Sequence, residues 1–173
     1  VEPGNAFEAS VLTYEDLDCN ADNSGSITFE AENFGAGGFE YSLDNFASIL
    51  GSTTVSPQTI SGLSAGNYTI YIRDVDNPIA GCSVTLVQTI SEPNIISVSN
   101  VDSQPSCVDD GSVVITATGG TGTFSYEIQL PDTSTTGVQG SNLFTGLNQL
   151  GLHTITVTDA NGCTATDTFT LVA

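Results

Sequence analysis

The stretch Gly151-Leu152-His153-Thr154-Ile155-Thr156-Val157-Thr158-Asp159-Ala160-Asn161-Gly162-Cys163 decides the fold. Its apolar residues Ile155 and Val157 alternate with threonines, which is the period of a β-strand with one buried face. Residues 159–162 then supply turn-forming side chains and a glycine that can adopt a positive φ. The pattern predicts a strand, a hairpin turn and a returning strand that begins near Thr164.

The same phrase occurs earlier in the chain, as Gly66-Asn67-Tyr68-Thr69-Ile70-Tyr71-Ile72-Arg73-Asp74, followed after a longer loop by Gly81-Cys82. Two tandem copies within 173 residues leave roughly 80–90 residues for each, enough to bury a modest core. We predict repeat 1 at residues 1–92 and repeat 2 at residues 93–173, joined at Ser91-Glu92-Pro93-Asn94. The opening Val1-Glu2-Pro3 reads like this junction, so we expect the chain to be a slice of a longer array.

Each copy contains six or seven short alternating segments separated by turns rich in Gly and Asp, and no helix of useful length is indicated. This order favours an all-β fold made of two antiparallel β-sandwich repeats. Alternation predicts which side chains form the two cores. They are Ile27, Phe29, Tyr41, Leu63, Ile70 and Ile72 in repeat 1, and Val113, Ile115, Tyr126, Leu147, Ile155 and Val157 in repeat 2.

The chain is strongly acidic, with one Lys or Arg against twenty Asp and Glu and a net charge of -19. This charge repels phosphate backbones and anionic membranes, so we expect no nucleic-acid partner. No apolar run is long enough to span a bilayer, and we expect no membrane insertion. Two interpretations of the acidity remain, a solubilising surface or a calcium ion held between loops.

Calcium accepts six to eight oxygen ligands, so a site requires several carboxylates to converge. In the predicted strand order, acidic loops of both copies approach the junction between them. The candidate ligands of this calcium site are Asp16, Asp18, Asp22, Glu92, Asn94 and Asp159. The alternative is an acidic, metal-free joint, because Asp-rich turns are common.

The phrase Gly62-Leu63-Ser64-Ala65-Gly66-Asn67-Tyr68 places a tyrosine at the start of a late strand. In Greek-key sandwiches such a tyrosine often bonds back across the preceding corner. The second copy has His153 at this position, and we expect it to be a structural corner residue as well. No acid–base partner stands beside His153, and no catalytic phrase is found, so we expect no enzyme. The lone Arg73 is expected to pair with a neighbouring carboxylate.

Three phrases of the second copy resemble SprB-type repeats of very large cell-surface adhesins of gliding Bacteroidetes. They are Asp110-Gly111-Ser112-Val113, Gly119-Gly120-Thr121-Gly122-Thr123-Phe124-Ser125-Tyr126, and the stretch from Gly151 to Thr164. The resemblance implies an immunoglobulin-like sandwich, export to the outer cell surface, and a non-catalytic role in adhesion or as a spacer. Its partners would be neighbouring repeats or like subunits.

Four cysteines in an exported sandwich indicate disulfides. Cys19 corresponds to Cys107, and Cys82 corresponds to Cys163. Pairing within copies, Cys19–Cys82 and Cys107–Cys163, is the first expectation, although a simple sandwich places the two members of each pair at opposite ends. The alternative joins Cys19 to Cys163 and so staples neighbouring repeats.

Two other functions remain open beside the structural segment of an adhesin or surface filament. One is a subunit that assembles into an extracellular filament by strand addition at sheet edges. The other is a carbohydrate-binding module of a secreted enzyme, which would bind surface polysaccharide through exposed aromatic residues such as Tyr71 or Tyr14.

Overall fold

The structure is a computed structural model that describes residues 6–77 and 82–173. The chain divides into two units, Val1–Glu92 (unit 1) and Pro93–Ala173 (unit 2). Thirteen strands and no helix occur in the described residues, so this part of the chain contains no helix long and apolar enough to cross a membrane. The all-β prediction is confirmed.

Unit 1 contains two antiparallel sheets, one of three strands in the order β1-β2-β5 and one of four strands in the order β4-β3-β6-β7. Their spans are β1 (Glu8–Glu15), β2 (Gly25–Glu32), β3 (Phe39–Ser42), β4 (Gly51–Thr53), β5 (Gln58–Leu63), β6 (Gly66–Asp74) and β7 (Ser83–Ile90).

Unit 2 contains two antiparallel sheets of three strands, in the orders β11-β9-β8 and β10-β12-β13. Their spans are β8 (Ser97–Ser103), β9 (Gly111–Thr118), β10 (Ser125–Gln129), β11 (Leu143–Leu147), β12 (Gly151–Thr158) and β13 (Thr164–Leu171).

A hydrophobic core lies between the two sheets of each unit. In unit 1, Phe29 of β2 meets Tyr41 of β3 edge-on, with ring centroids 5.1 Å apart, and this contact joins the two sheets. In unit 2, Val113 and Ile115 of β9 share one core with Ile155 and Val157 of β12. All twelve predicted core residues are buried. Each unit is therefore an antiparallel β-sandwich, as the alternation predicts.

The two units use the same strand register. Tyr41 pairs with Ile72 in unit 1, as Tyr126 pairs with Val157 in unit 2. Gly66 pairs with Ile90, as Gly151 pairs with Leu171. The units differ after β3 and β10. Unit 1 forms the short strand β4 there, whereas residues 131–141 of unit 2 form only isolated bridges to β10.

Candidate functional site

Asp159 directly follows β12 and organises the turn to β13. Its buried carboxylate accepts backbone N–H groups from Thr121 at 2.8 Å, Asn161 at 3.0 Å and Cys163 at 2.9 Å. Burial raises the pKa of Asp159, but these donors and the N–H of Gly162 together outweigh it and hold the pKa below its usual range. One charged group thus ties the hairpin turn to the loop that precedes β10.

Asp74 holds the same position in unit 1. It is also buried, and its carboxylate accepts the N–H groups of Gly35 at 3.0 Å and Asp76 at 2.8 Å. The sequence prediction did not assign a role to Asp74. The signal was present, because Asp74 and Asp159 end the two copies of the repeated phrase.

The residues expected at the two corners differ. The Tyr68 hydroxyl donates to the backbone oxygen of Ser64 at 2.9 Å, which is a corner hydrogen bond. His153 is fully buried, and its ring stacks on Phe169 with centroids 4.7 Å apart.

His153 Nδ1 lies 3.1 Å from the oxygen of Gly151, and a carbonyl only accepts, so Nδ1 carries the hydrogen in this contact. Nε2 has no hydrogen-bond partner among the residues that the structure describes. His153 is therefore a structural residue that fills core space, and its hydrogen bond reaches the oxygen of Gly151, two residues before it, whereas that of Tyr68 reaches Ser64, four residues before it.

The candidate calcium ligands of unit 1 are engaged in closing loops. Asp16 accepts the N–H of Ser91 at 2.7 Å, and Glu92 accepts the N–H of Ala21 at 2.8 Å. Asp22 accepts the N–H of Cys19 and that of Ser24, each at 3.0 Å. The backbone hydrogen bond from Ser24 is the main reason why the pKa of Asp22 is lowered.

Two further candidate ligands are also engaged, since the backbone oxygen of Asn94 accepts the N–H of Gly120 at 2.8 Å and Asp159 holds its turn. The backbone N–H of Asp18 donates to Ser24 Oγ at 2.7 Å. Across residues 6–77 and 82–173, no three His, Cys, Asp or Glu side chains gather as a group that could hold a metal. Calcium binding stays a prediction.

The cysteines correct the first expectation. Cys19 and Cys163 are disulfide-bonded, whereas Cys82 is a half-buried free thiol and Cys107 an exposed one. The pairs Cys19–Cys82 and Cys107–Cys163 are therefore not formed.

In unit 1, the reason for this correction is the distance between the two cysteines. The segment around Cys19 is bonded to Ser91 and Glu92, just beyond the end of β7, while Cys82 precedes the start of β7. An eight-residue strand separates the two by about 25 Å, whereas a disulfide requires Cα atoms within about 7 Å.

Arg73 lies in a small cluster on the outer face of β6, which we call the arginine–aromatic cluster (Glu40, Phe46, Tyr71 and Arg73). Its Nε forms an ion pair with Glu40, the cross-strand neighbour of Arg73. Its guanidinium lies 4.1 Å from the centre of the Phe46 ring, and Phe46 meets Tyr71 edge-on at 6.2 Å. The predicted pairing of Arg73 with a carboxylate is confirmed.

Ser42 and Asp44 hold the loop that carries Phe46 through hydrogen bonds. The buried Ser42 hydroxyl accepts the N–H of Phe46 at 3.0 Å and donates to Asp44. Hydrogen bonds from Ser42 and Ser48 lower the pKa of Asp44 to about 2. Phe46 has a positive φ of 63°, which is unusual for a bulky residue, so these bonds hold a strained loop in place.

Comparison with solved structures gives likenesses at low identity. The fibronectin(III)-like modules of Clostridium thermocellum CbhA share 12% identity, covering 96% of this chain and 94% of that one, with a TM-score of 0.39. A C-terminal 282-residue fragment of intimin, in complex with the intimin-binding domain of the translocated intimin receptor, shares 17%, covering 94% and 64%, with a TM-score of 0.44. The amphioxus IgVJ-C2 molecule shares 10%, covering 90% and 99%, with a TM-score of 0.40.

Comparison with curated proteins finds no sequence match. A family model described as SprB repeat matches residues 99–133, a segment that includes all of β9 and β10 and most of β8. SprB repeats are typical of cell-surface proteins and of structural domains without catalysis. Residues 99–133 thus match a SprB repeat, and the likeness supports an adhesin-type structural repeat.

Proposed function

We propose that this chain is a structural segment of an extracellular adhesin or cell-surface filament, in which it acts as a spacer and adhesion scaffold. The observation that carries the proposal is the SprB repeat match at residues 99–133, in a unit whose strand register recurs in unit 1. Repeat domains in series contact mainly their neighbours and extend a chain by repetition.

The long hairpins of the two units suit this role. Strands β6 and β7 pair over eight positions, and strands β12 and β13 do so as well. Each hairpin is therefore a long, continuously hydrogen-bonded antiparallel pair, which gives its unit a stiff element. In each unit, a buried aspartate further fixes the turn of the hairpin or a loop beside it, as described above for Asp159 and Asp74.

Surface exposure tests this proposal directly. An antibody raised against residues 93–173 should label intact cells that produce the protein, and protease added outside the cells should remove the label. An antibody against a cytoplasmic protein is the control for cell integrity. Labelling that appears only after the cells are lysed would contradict a surface location.

A second candidate function is carbohydrate binding, and the arginine–aromatic cluster is the observation that favours it. Small-molecule sites are lined mainly by apolar and aromatic side chains with a few placed polar or charged groups, and the cluster offers both kinds. The strained loop that presents Phe46 is held by Ser42 and Asp44, which pre-organises the cluster.

Glycan-array binding by the wild-type protein would test this function. Binding that disappears in Tyr71→Ala and Phe46→Ala but persists in Tyr14→Ala would support it, since Tyr14 is an exposed tyrosine outside the cluster. Equal signals from all four proteins would exclude the cluster as a sugar site.

Calcium at Asp16, Asp18, Asp22, Glu92, Asn94 and Asp159 is a further proposal. A bound ion would neutralise carboxylates and raise the melting temperature of the protein. Thermal melts in calcium and in chelator, with magnesium as the control for ionic strength, decide the question. Identical melting temperatures would contradict calcium binding.

A further inference from the structure

Each unit has a cysteine that follows the hairpin turn, which we call the trailing cysteine (Cys82 in unit 1, Cys163 in unit 2). The N–H of Asp74 donates to the backbone oxygen of Cys82 at 3.0 Å, and the N–H of Asp159 donates to that of Cys163 at 3.0 Å. The two trailing cysteines therefore occupy the same backbone position.

Each unit also has a cysteine in the loop that enters its second strand, which we call the leading cysteine (Cys19 in unit 1, Cys107 in unit 2). The loops end at Gly25 and Gly111, the first residues of β2 and β9.

These glycines have matching surroundings. A Cβ on Gly25 would lie 2.7 Å from the backbone oxygen of Leu63 and 2.8 Å from the Ile90 side chain. A Cβ on Gly111 would lie 3.0 Å from the backbone oxygen of Leu147 and 2.8 Å from the Leu171 side chain. The leading cysteines precede equivalent glycines by six and four residues, so they occupy corresponding loops.

Of the two leading cysteines one is disulfide-bonded and one is free, and the same holds for the two trailing cysteines. One leading cysteine, Cys19, and one trailing cysteine, Cys163, are disulfide-bonded. The remaining leading cysteine, Cys107, and the remaining trailing cysteine, Cys82, are free. The chain thus keeps one free leading thiol and one free trailing thiol, and neither of them forms a disulfide within the chain.

The surface beside Cys107 is suited to contact with another protein surface. A cavity of about 420 Å³ is lined there by Pro105, Cys107, Leu150 and other residues of unit 2. Leu150 is 51% exposed, and neighbouring Val108 is 87% exposed. Exposed apolar side chains around a free thiol can seat a partner closely enough to bring a second sulfur within bonding distance.

We propose that Cys107 of one chain forms a disulfide with Cys82 of a second copy of this chain, joining the copies head to tail. The bond repeats the combination of leading and trailing cysteine that is already oxidised in Cys19 and Cys163. Because the two surfaces differ, the contact is heterologous and leaves one free thiol of each kind for the next copy, so successive copies extend a chain of subunits unless the rotation closes a ring. This inference rests on the proposed role as a repeat among like repeats and names the covalent link between them.

The oxidant that we name is a disulfide of the glutathione class. The Cys107 thiolate attacks glutathione disulfide and releases one glutathione, and the Cys82 thiolate then attacks the mixed disulfide and releases the second. One S–S bond is broken and one is formed. The two protein thiols lose two electrons and two protons, which the two glutathione thiols carry.

The experiment begins with alkylation of the unreduced protein and peptide mapping. Cys82 and Cys107 should be alkylated, whereas Cys19 and Cys163 should react only after reduction. Equal amounts of ¹⁴N- and ¹⁵N-labelled chain are then oxidised with glutathione disulfide at about 0.15 M salt, which screens the acidic chains over about 8 Å. We expect a ladder of multimers on a non-reducing gel, and mixed-isotope peptides that join Cys82 to Cys107.

Two variants give matched controls. Neither Cys82→Ser nor Cys107→Ser alone should form the ladder, whereas a mixture of the two should stop at a dimer linked through Cys107 of the first and Cys82 of the second. A ladder in either single variant, dimers linked only Cys107 to Cys107, a Cys82–Cys107 bond within one chain, or thiols merely capped by glutathione would each overturn the proposal. Surface labelling of cells is independent of this crosslink, so the two proposals fail separately.

Discussion

Asp159 shows how one carboxylate can fix the geometry of a turn. Its charge is matched by backbone N–H groups from two loops, including those of Thr121 and Cys163. The sequence could identify Asp159 as a turn residue, because Asp before Asn-Gly is a common turn pattern. It could not show that the carboxylate also reaches Thr121, since that bond depends on tertiary packing across 38 residues.

We predict that Asp159→Asn lowers the free energy of unfolding at pH 7 by about 1–3 kcal/mol, because an amide donor replaces an oxygen that accepts a buried N–H. The pKa of Asp159 is lowered in the folded state, so its stabilising contribution is fully present above the ordinary carboxyl pKa and is lost as the pH falls from there through the lowered pKa of the folded state. The difference in the free energy of unfolding between wild type and variant, called the gap below, should therefore shrink below about pH 4.

Urea unfolding of the full chain between pH 3 and pH 7 measures this gap. Asp110→Asn is the control, since it removes the same charge from an exposed loop residue of the same unit. A gap that stays constant over the whole pH range would contradict the role assigned to the ionised carboxylate.

The corner hydrogen bond of unit 1 gives a second prediction. Tyr68→Phe removes only the hydroxyl that donates to Ser64, so we expect a loss of about 0.5–1.5 kcal/mol in the free energy of unfolding. Tyr14→Phe makes the same chemical change at an exposed tyrosine and should be nearly neutral. If both variants unfold at the same urea concentration as the wild type, the corner bond contributes nothing to stability.

At the scale of the strand, alternation correctly predicted twelve buried apolar residues, although the two cores also contain residues that it did not name, such as Phe39 and Ile90. Every predicted core residue is buried because a strand that faces water on one side must place its apolar side chains on the other. Ile155 and Val157 illustrate this rule, since both are fully buried. Thr156, which lies between them, and Thr154, which precedes Ile155, are half-exposed.

Ile155→Ala should lower the free energy of unfolding by about 2–5 kcal/mol, because the truncation leaves a cavity between the sheets. Thr156→Ala, one residue along the same strand, changes a half-exposed side chain and should cost much less. Chemical denaturation of both variants compares the two faces directly. Equal effects would mean that β12 does not turn the predicted face toward the core.

Loops were less predictable than strands, and the cysteines show why. The repeat favoured pairs within each copy, because each copy holds an equivalent pair of cysteines, yet this correspondence says nothing about which end of a sandwich each loop occupies. Strand register decides that question, because it sets the segment around Cys19 and the Cys82 position at opposite ends of β7.

The cluster around Arg73 was partly predictable, since its ion-pair partner is the cross-strand neighbour Glu40, whereas the contact with Phe46 depends on a strained loop.

At the scale of the whole chain, the repeated phrase was the most informative feature of the sequence. It predicted two copies of one fold, and the paired registers of β6–β7 and β12–β13 agree with that interpretation. The shared framework tolerates different residues at matching positions, as Tyr68 and His153 illustrate. The net charge of -19 constrained the classes of partner but not the fold.

The central claim, that this chain is a pair of β-sandwich repeats that each fold as a unit, is tested most directly by single-molecule force spectroscopy of the full chain held at its two ends. Reductant is included so that no disulfide limits the extension. We predict two separate unfolding events, each lengthening the chain by about 30 nm, which corresponds to roughly 80–90 residues at about 3.3–3.6 Å each. Smooth extension without force peaks, or a single event that releases the whole chain, would contradict the account.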